Sequence, residues 1–201
     1  MKITKIERAK KNKFKVNIFI DGEFSFSVYE DVFLKMKIQK DMEIDGSFIE
    51  KAKSASEFER NKLYLLNILS RKNYTERELH TKLMQRKVER ESAESLIENI
   101  RRMGFLDDDK YIKDYMNFLM DSKKYSKQEI FQKMRMKFND EEKMKECEVA
   151  LKEYDEKEVL KKLMKKIKSD IDKNKIISRL MRKGFKYEDI SDIMKTIQKE
   201  D

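Results

Sequence analysis

Two cations four residues apart recur three times along this chain, as Lys82 and Arg86, Lys133 and Lys137, and Arg179 and Lys183. The copies stand 51 and then 46 residues apart, so the pairs share one register of a repeat. Side chains four apart on a helix lie on one face, which makes each pair a two-charge strip suited to carboxylates or phosphates. Two origins fit such a strip. One is internal: cations favour the C-terminal end of a helix dipole, and Glu78 and Glu129 stand four residues before Lys82 and Lys133. The other is a partner's acidic surface. Four residues before Arg86, Lys137 and Lys183 stands another cation, and like charges so placed repel by a few tenths of a kcal/mol. All six are candidate partner-binding residues.

Other chemistry finds few convergent groups. The lone His80 excludes a histidine metal cluster and reads as an exposed polar residue of a helix. Asp107-Asp108-Asp109 admits two readings, a magnesium site of a nuclease or an acidic cap on a helix N-terminus. Ser and Thr have no His or Lys partner at any motif spacing. A single cysteine, Cys147, excludes an internal disulfide and a cysteine-based zinc site; it reads as a small core residue. The four glycines, Gly22, Gly46, Gly104 and Gly184, fall at expected turns and caps rather than in a phosphate-cradling loop. The expectation is a protein that is not an enzyme, with no catalytic, metal-binding or cofactor-binding residue and no cofactor.

The elements that must carry the strips are helical and repeated. At the same offsets Leu79, Ile130 and Ile176 align, as do Leu83, Met134 and Leu180, then Ala93, Met144 and Ile190. Leu96, Cys147 and Ile193 follow, then Ile100, Leu151 and Ile197. A repeat of this size means stacked supersecondary units, each too small to bury its apolar face alone. Thr75-Glu76-Arg77-Glu78 is a capping box, repeated as Ser126-Lys127-Gln128-Glu129, while Asp172 caps the third copy alone. Tyr64 and Tyr115 also align, as do Tyr74 and Tyr125 just before the two boxes. They read either as staples and rim residues or as base-stacking rings.

Ahead of the repeats the pattern is β. Apolar residues alternate from Phe14 to Ile20 and from Phe24 to Val28 around Asp21-Gly22, the strongest short-range hairpin signal. Residues 2–9 add a third strand, Tyr29 to Met36 form a short helix, and Asp45-Gly46 marks a second turn. Helical periodicity runs from about Ser54 onward. The expected fold is mainly α: three tandem three-helix repeats forming an elongated curved solenoid, preceded by a small β-hairpin extension. The boundaries are 1–53 for the extension and 54–106, 107–154 and 155–201 for the repeats.

Composition fits an open surface better than a pocket, with 43% charged residues against 39% hydrophobic. A net charge of +9, mostly from Lys, points to a polyanionic partner. The N-terminus lacks the apolar middle of a signal peptide, and no apolar run approaches the roughly 20 residues of a membrane span. A soluble cytoplasmic protein is expected.

Residues Leu66-Asn67-Ile68-Leu69-Ser70-Arg71-Lys72, Thr75 to Leu83, and Gly104-Phe105-Leu106-Asp107-Asp108 with Tyr111 resemble the RecX family, regulators of the RecA recombinase. The leading hairpin is similar to the extension carried by members from low-GC Gram-positive bacteria. The chain departs from the family at His80, Phe131 and Ile177, where an Arg is usual, and at Lys87 and Phe138, where a Gly commonly ends the second helix. The resemblance implies binding to the RecA filament on single-stranded DNA by a monomer with no membrane association. It also implies restraint of ATP hydrolysis, strand exchange and filament growth. Read from charge alone, the alternative is a basic helical-repeat protein that binds nucleic acid directly.

Overall fold

The computed structural model describes residues 1–138, 140–167 and 172–200, the last three by backbone alone. Strands β1 (Ile3–Arg8), β2 (Lys15–Ile20) and β3 (Glu23–Tyr29) form an antiparallel sheet in that order. Asp21 and Gly22 join β2 to β3 with φ of 50° and 95°, the paired left-handed conformation that a two-residue hairpin turn demands. Alternation then decides the core. Val16, Ile18, Ile20, Phe26 and Val28 point inward and meet Val32 of α1 (Glu30–Lys35), Ile38, Ile44 and Ala52. The third strand and the short helix stand where the sequence places them.

Asp45-Gly46 is not a turn. Asp45 is the N-cap of α2 (Gly46–Leu69), its side chain accepting the Phe48 N–H at 2.8 Å, and that bond holds its carboxyl below the usual range. Local chemistry misleads here because an Asp before Gly serves a turn and a cap equally well. The helix therefore starts ahead of Ser54 and passes through that residue without a break. At 24 residues, about 36 Å, α2 covers the sheet with its first half. Its second half, through Leu65, joins the next core.

Ten helices occur among the described residues. After α2 come α3 (Glu76–Gln85) and α4 (Arg90–Arg102), then α5 (Asp108–Asp121), α6 (Lys127–Phe138) and α7 (Glu141–Lys152). The last three are α8 (Glu156–Lys165), α9 (Lys173–Arg182) and α10 (Tyr187–Glu200). The helices pack in threes: α4 lies on α2 and α3, α6 on α5 and α7, and α10 on α8 and α9. The fold is thus mainly α, with helical repeats after a small sheet. The aligned apolar positions are its core. Leu79, Leu83, Ala93, Leu96 and Ile100 are all fully buried, Ile130, Met134 and Cys147 likewise, with Ile176 and Ile197 partly covered.

Contacts divide the chain into two compact units, 1–107 and 108–201. The first holds the sheet and α1 to α4; the second holds α5 to α10. Caps set the helix starts. Thr75 Oγ accepts the Glu78 N–H while the Glu78 carboxylate takes the Thr75 N–H. Ser126 Oγ accepts the Glu129 N–H at 3.0 Å, and Asp172 accepts from Asn174 and Lys175.

Cys147 sits fully buried on α7, and burial pushes its thiol up to about 11. In the unfolded chain the thiol ionises near pH 9. Between those values only the unfolded chain releases the proton, so stability is complete below about pH 9 and declines as pH rises toward 11. The decline will be roughly 2–3 kcal/mol. Urea unfolding from pH 8 to 11 should show it, and Cys147→Ala should flatten the slope; an equal slope in both proteins would refute the assignment.

Candidate interaction face

The six candidate cations belong to the second helix of each repeat: Lys82, Lys133, Lys137 and Arg179 lie within α3, α6 and α9, and Arg86 and Lys183 cap the ends of α3 and α9. In the first two copies they do not simply project into water. Lys82 Nζ lies 5.0 Å from the centre of the Tyr74 ring, and Lys133 Nζ lies 4.9 Å from that of Tyr125. One turn further on, the Arg86 guanidinium sits 4.1 Å from the Tyr64 ring, and Lys137 Nζ 5.3 Å from Tyr115. Each first-copy pair becomes its second-copy counterpart by adding the same 51-residue offset to both partners. Two aligned cations and two aligned tyrosines are therefore one repeated unit. A cation over a ring face within about 6 Å is worth roughly 0.5–1 kcal/mol at an exposed site.

Further contacts fix these heads. Arg86 Nε donates to Asn61 Oδ1 at 3.2 Å, and Asn61 is 1% exposed with its Nδ2 lacking a partner. Lys137 also lies 5.2 Å from Tyr111, which stacks edge-on against Phe138 at 5.7 Å. The tyrosines are half-buried, and their ring faces are taken by cations. That occupancy disfavours the base-stacking reading of Tyr64, Tyr74, Tyr115 and Tyr125.

The third copy is built differently. The position matching Tyr115 is Lys161, and the one matching Tyr125 is Ile171, outside the described residues. Lys183 instead approaches Glu129 of α6, with Nζ 3.9 Å from Oε2, while Lys133 Nζ stands 3.8 Å from Oε1. Glu129 thus draws Lys133 and Lys183 together across a groove lined by Gln132, Met136 and Met181. Met136 is 87% exposed there. Arg179 faces a separate groove with Ile167, Asn174, Lys175 and Ile176. Sequence reasoning pairs Glu129 with Lys133 but misses Lys183, because that contact joins two helices.

The remaining candidates resolve simply. His80 is half-buried rather than exposed, since α3 turns it partly toward its neighbours. Asp108 and Asp109 occupy the first turn of α5, where carboxylates suit the helix dipole. Asp109 pairs with Lys143 Nζ at 3.0 Å, and this bond with Glu146 holds that ammonium well above its ordinary pKa. Among the described residues no group of three or more His, Cys, Asp or Glu side chains is placed to hold a metal ion. None of the described helices is long and apolar enough to cross a membrane.

Comparison with known proteins agrees with this architecture along the whole chain. A family profile described as the regulatory protein RecX N-terminal domain matches residues 1–45. Regulatory protein RecX of Clostridium beijerinckii is 28% identical over 210 residues, covering 98% of this chain and 95% of that one. The Bacillus subtilis protein of the same name is 26% identical, covering 98% of this chain and 78% of its own. A crystal structure of regulatory protein RecX superposes with a TM-score of 0.68 at 25% identity, covering 95% of this chain and 98% of that one. The fold is shared with RecX from Lactobacillus salivarius, with a TM-score of 0.58 at 20% identity over 72% of this chain and 98% of that one. With the sheet, the capped second helices and this end-to-end likeness in hand, the chain is similar to regulatory RecX proteins over nearly its whole length, and its residues 1–45 match their N-terminal domain.

Proposed function

We propose that this protein is a non-enzymatic regulator of RecA in DNA repair and recombination. On this reading it binds the RecA filament on single-stranded DNA in the cytoplasm, as a monomer, and inhibits ATP turnover, strand exchange and filament extension. The observation that carries the reading is likeness to regulatory RecX proteins over nearly the full length of both chains. The site chemistry supports it. A cation resting on a tyrosine ring keeps its charge while losing rotamer freedom in advance, so less entropy is lost when a partner carboxylate arrives. Copies of one unit suit a partner that is itself a row of identical subunits, where weak contacts combine through effective concentration. We assign the contact to Lys82, Arg86, Lys133, Lys137, Arg179 and Lys183. The functional segments are then 1–53, 54–106, 107–154 and 155–201.

The test is a titration into RecA assembled on single-stranded DNA with ATP. Turnover should fall at substoichiometric to stoichiometric amounts. Unchanged turnover through a full titration would sink the proposal.

A further inference from the structure

We infer that the outer face of the N-terminal sheet, with the β1–β2 loop at its edge, is a binding surface for single-stranded nucleic acid. This surface is separate from the helical cations, and the inference does not rest on the RecA reading. It begins with a bulge. Ile18 pairs with Phe26 but Phe19 pairs with Phe24, so Ser25 is the extra residue of β3. Without that insertion Phe24 would share the inner face with Phe26, because side chains alternate. The bulge re-aims it outward, where it is 58% exposed and stands edge-on to Phe19 at 5.8 Å. Lys5 pairs across the strand with Phe19 and holds its Nζ 5.1 Å from that ring.

The opposite end of the sheet carries the second aromatic. Between Arg8 and Lys15 the chain reads Arg-Ala-Lys-Lys-Asn-Lys-Phe-Lys, with no acid. The loop is tightly bonded. Ala9 N–H donates to the Lys15 carbonyl at 2.9 Å, Lys15 N–H to the Asn12 carbonyl at 3.0 Å, and Phe14 N–H to Asn12 Oδ1 at 3.0 Å. Glu30 N–H donates to the Phe14 carbonyl at 2.9 Å. These bonds fix a turn that leaves Phe14 70% exposed. Arg8 is engaged with Glu30 and Lys15 with Tyr29, but among the described residues no carboxylate pairs with Lys10, Lys11 or Lys13.

An exposed ring thus stands at each end of a strand about 20 Å long, and ammonium groups with no carboxylate partner cluster beside one of them. That combination calls for a polyanion whose own planar rings are free to stack. Single-stranded nucleic acid has both features, since every base offers a π-face and every link a phosphate. A duplex keeps its bases stacked on one another, and an acidic peptide has no regular series of rings. The partner class follows from the chemistry of Phe14, Phe24, Lys10, Lys11 and Lys13.

The test is fluorescence anisotropy with the full chain, no RecA, and a labelled oligothymidylate of about 20 nucleotides. K10Q/K11Q/K13Q and F14A/F24A should each weaken binding by about tenfold or more. All five side chains are exposed, so far-UV circular dichroism and melting should not change. The lysine variant will also flatten the slope of log affinity against log salt by about 2, from roughly 0.7 per phosphate on a single strand. The phenylalanine variant will keep that slope and will leave binding to a duplex unchanged. Wild-type affinity in both variants would overturn the proposal. So would equal losses by F14A/F24A on duplex and single strand, tighter binding to anionic vesicles than to the oligonucleotide, or no binding to the oligonucleotide at low salt.

Discussion

Charge reversal at Arg86, Lys137 and Lys183 in one variant will raise the concentration that half-inhibits RecA ATP turnover by about tenfold or more. The size of the effect follows from the ion pairs themselves. An exposed ion pair contributes roughly 0.2–1 kcal/mol, and a glutamate in place of the cation turns that attraction into a repulsion of similar size. Three such sites sum to about 1–6 kcal/mol, and every 1.4 kcal/mol is a factor of ten. Avidity then compounds the loss, because weakening one repeat lowers the gain from its neighbours. The variant also disturbs local contacts. Arg86→Glu removes the stack on Tyr64 and the bond to Asn61, and Lys183→Glu sets a second carboxylate beside Glu129. Gln at all three positions is therefore the matched control. It loses the same ring and ion contacts without adding repulsion, so it should inhibit at an intermediate concentration. Helicity by circular dichroism should match in all three proteins. Full inhibition by the reversed variant would confine these residues to their contacts within the fold and move the partner contact elsewhere.

How much of this face could be read beforehand depends on the range of each interaction. The Thr75 capping box, the Ser126 cap and the Asp21-Gly22 turn are legible because their bonds close within four residues. The repeat is legible because helices of one design bury the same positions, so Leu79, Ile130 and Ile176 align before any contact is known. Asp45-Gly46 misleads for the opposite reason. Two local motifs share one dipeptide, and only the helix that follows decides between them. The cations on α3 and α6 show the same limit. The shared offset of Tyr64 with Tyr115 and of Arg86 with Lys137 is visible in sequence, yet nothing local says that tyrosine and cation meet. Tyr64 belongs to α2 and Arg86 follows α3, and only packing of the two helices joins them. Lys183 is the extreme case. Its partner Glu129 lies in another repeat, and local reasoning assigns that carboxylate to Lys133 alone. Bulges are equally hidden. Alternation from Phe24 to Val28 places Phe24 inward, and the extra residue at Ser25 reverses it.

Gly184→Ala will destabilise the second unit by about 3 kcal/mol, more than Gly104→Ala destabilises the first. Both glycines follow a helix and hold left-handed backbone, with φ of +88° and +76°. Moving an L-residue into that conformation costs roughly 1–2 kcal/mol. For Gly104 the cost stops there, because a Cβ would meet nothing within 4 Å. At Gly184 the Cβ would come within 2.8 Å of Ser126 Oγ and 2.9 Å of Gln128 Cβ. Neither atom can yield cheaply. Ser126 is fully buried, its hydroxyl donating to the Lys183 carbonyl at 2.5 Å while accepting the Glu129 N–H. Displacing it breaks the cap of α6 and the link to the end of α9 together, and each lost interaction adds about 1 kcal/mol. The shift would also carry Lys183 away from Glu129, so inhibition should weaken even where the variant remains folded. Urea unfolding of both variants, with Ser126→Ala as the partial loss, measures the difference. Equal destabilisation at the two glycines would mean that α6 and α9 do not meet through Ser126, and the junction that brings Lys133 and Lys183 together would have to be drawn differently.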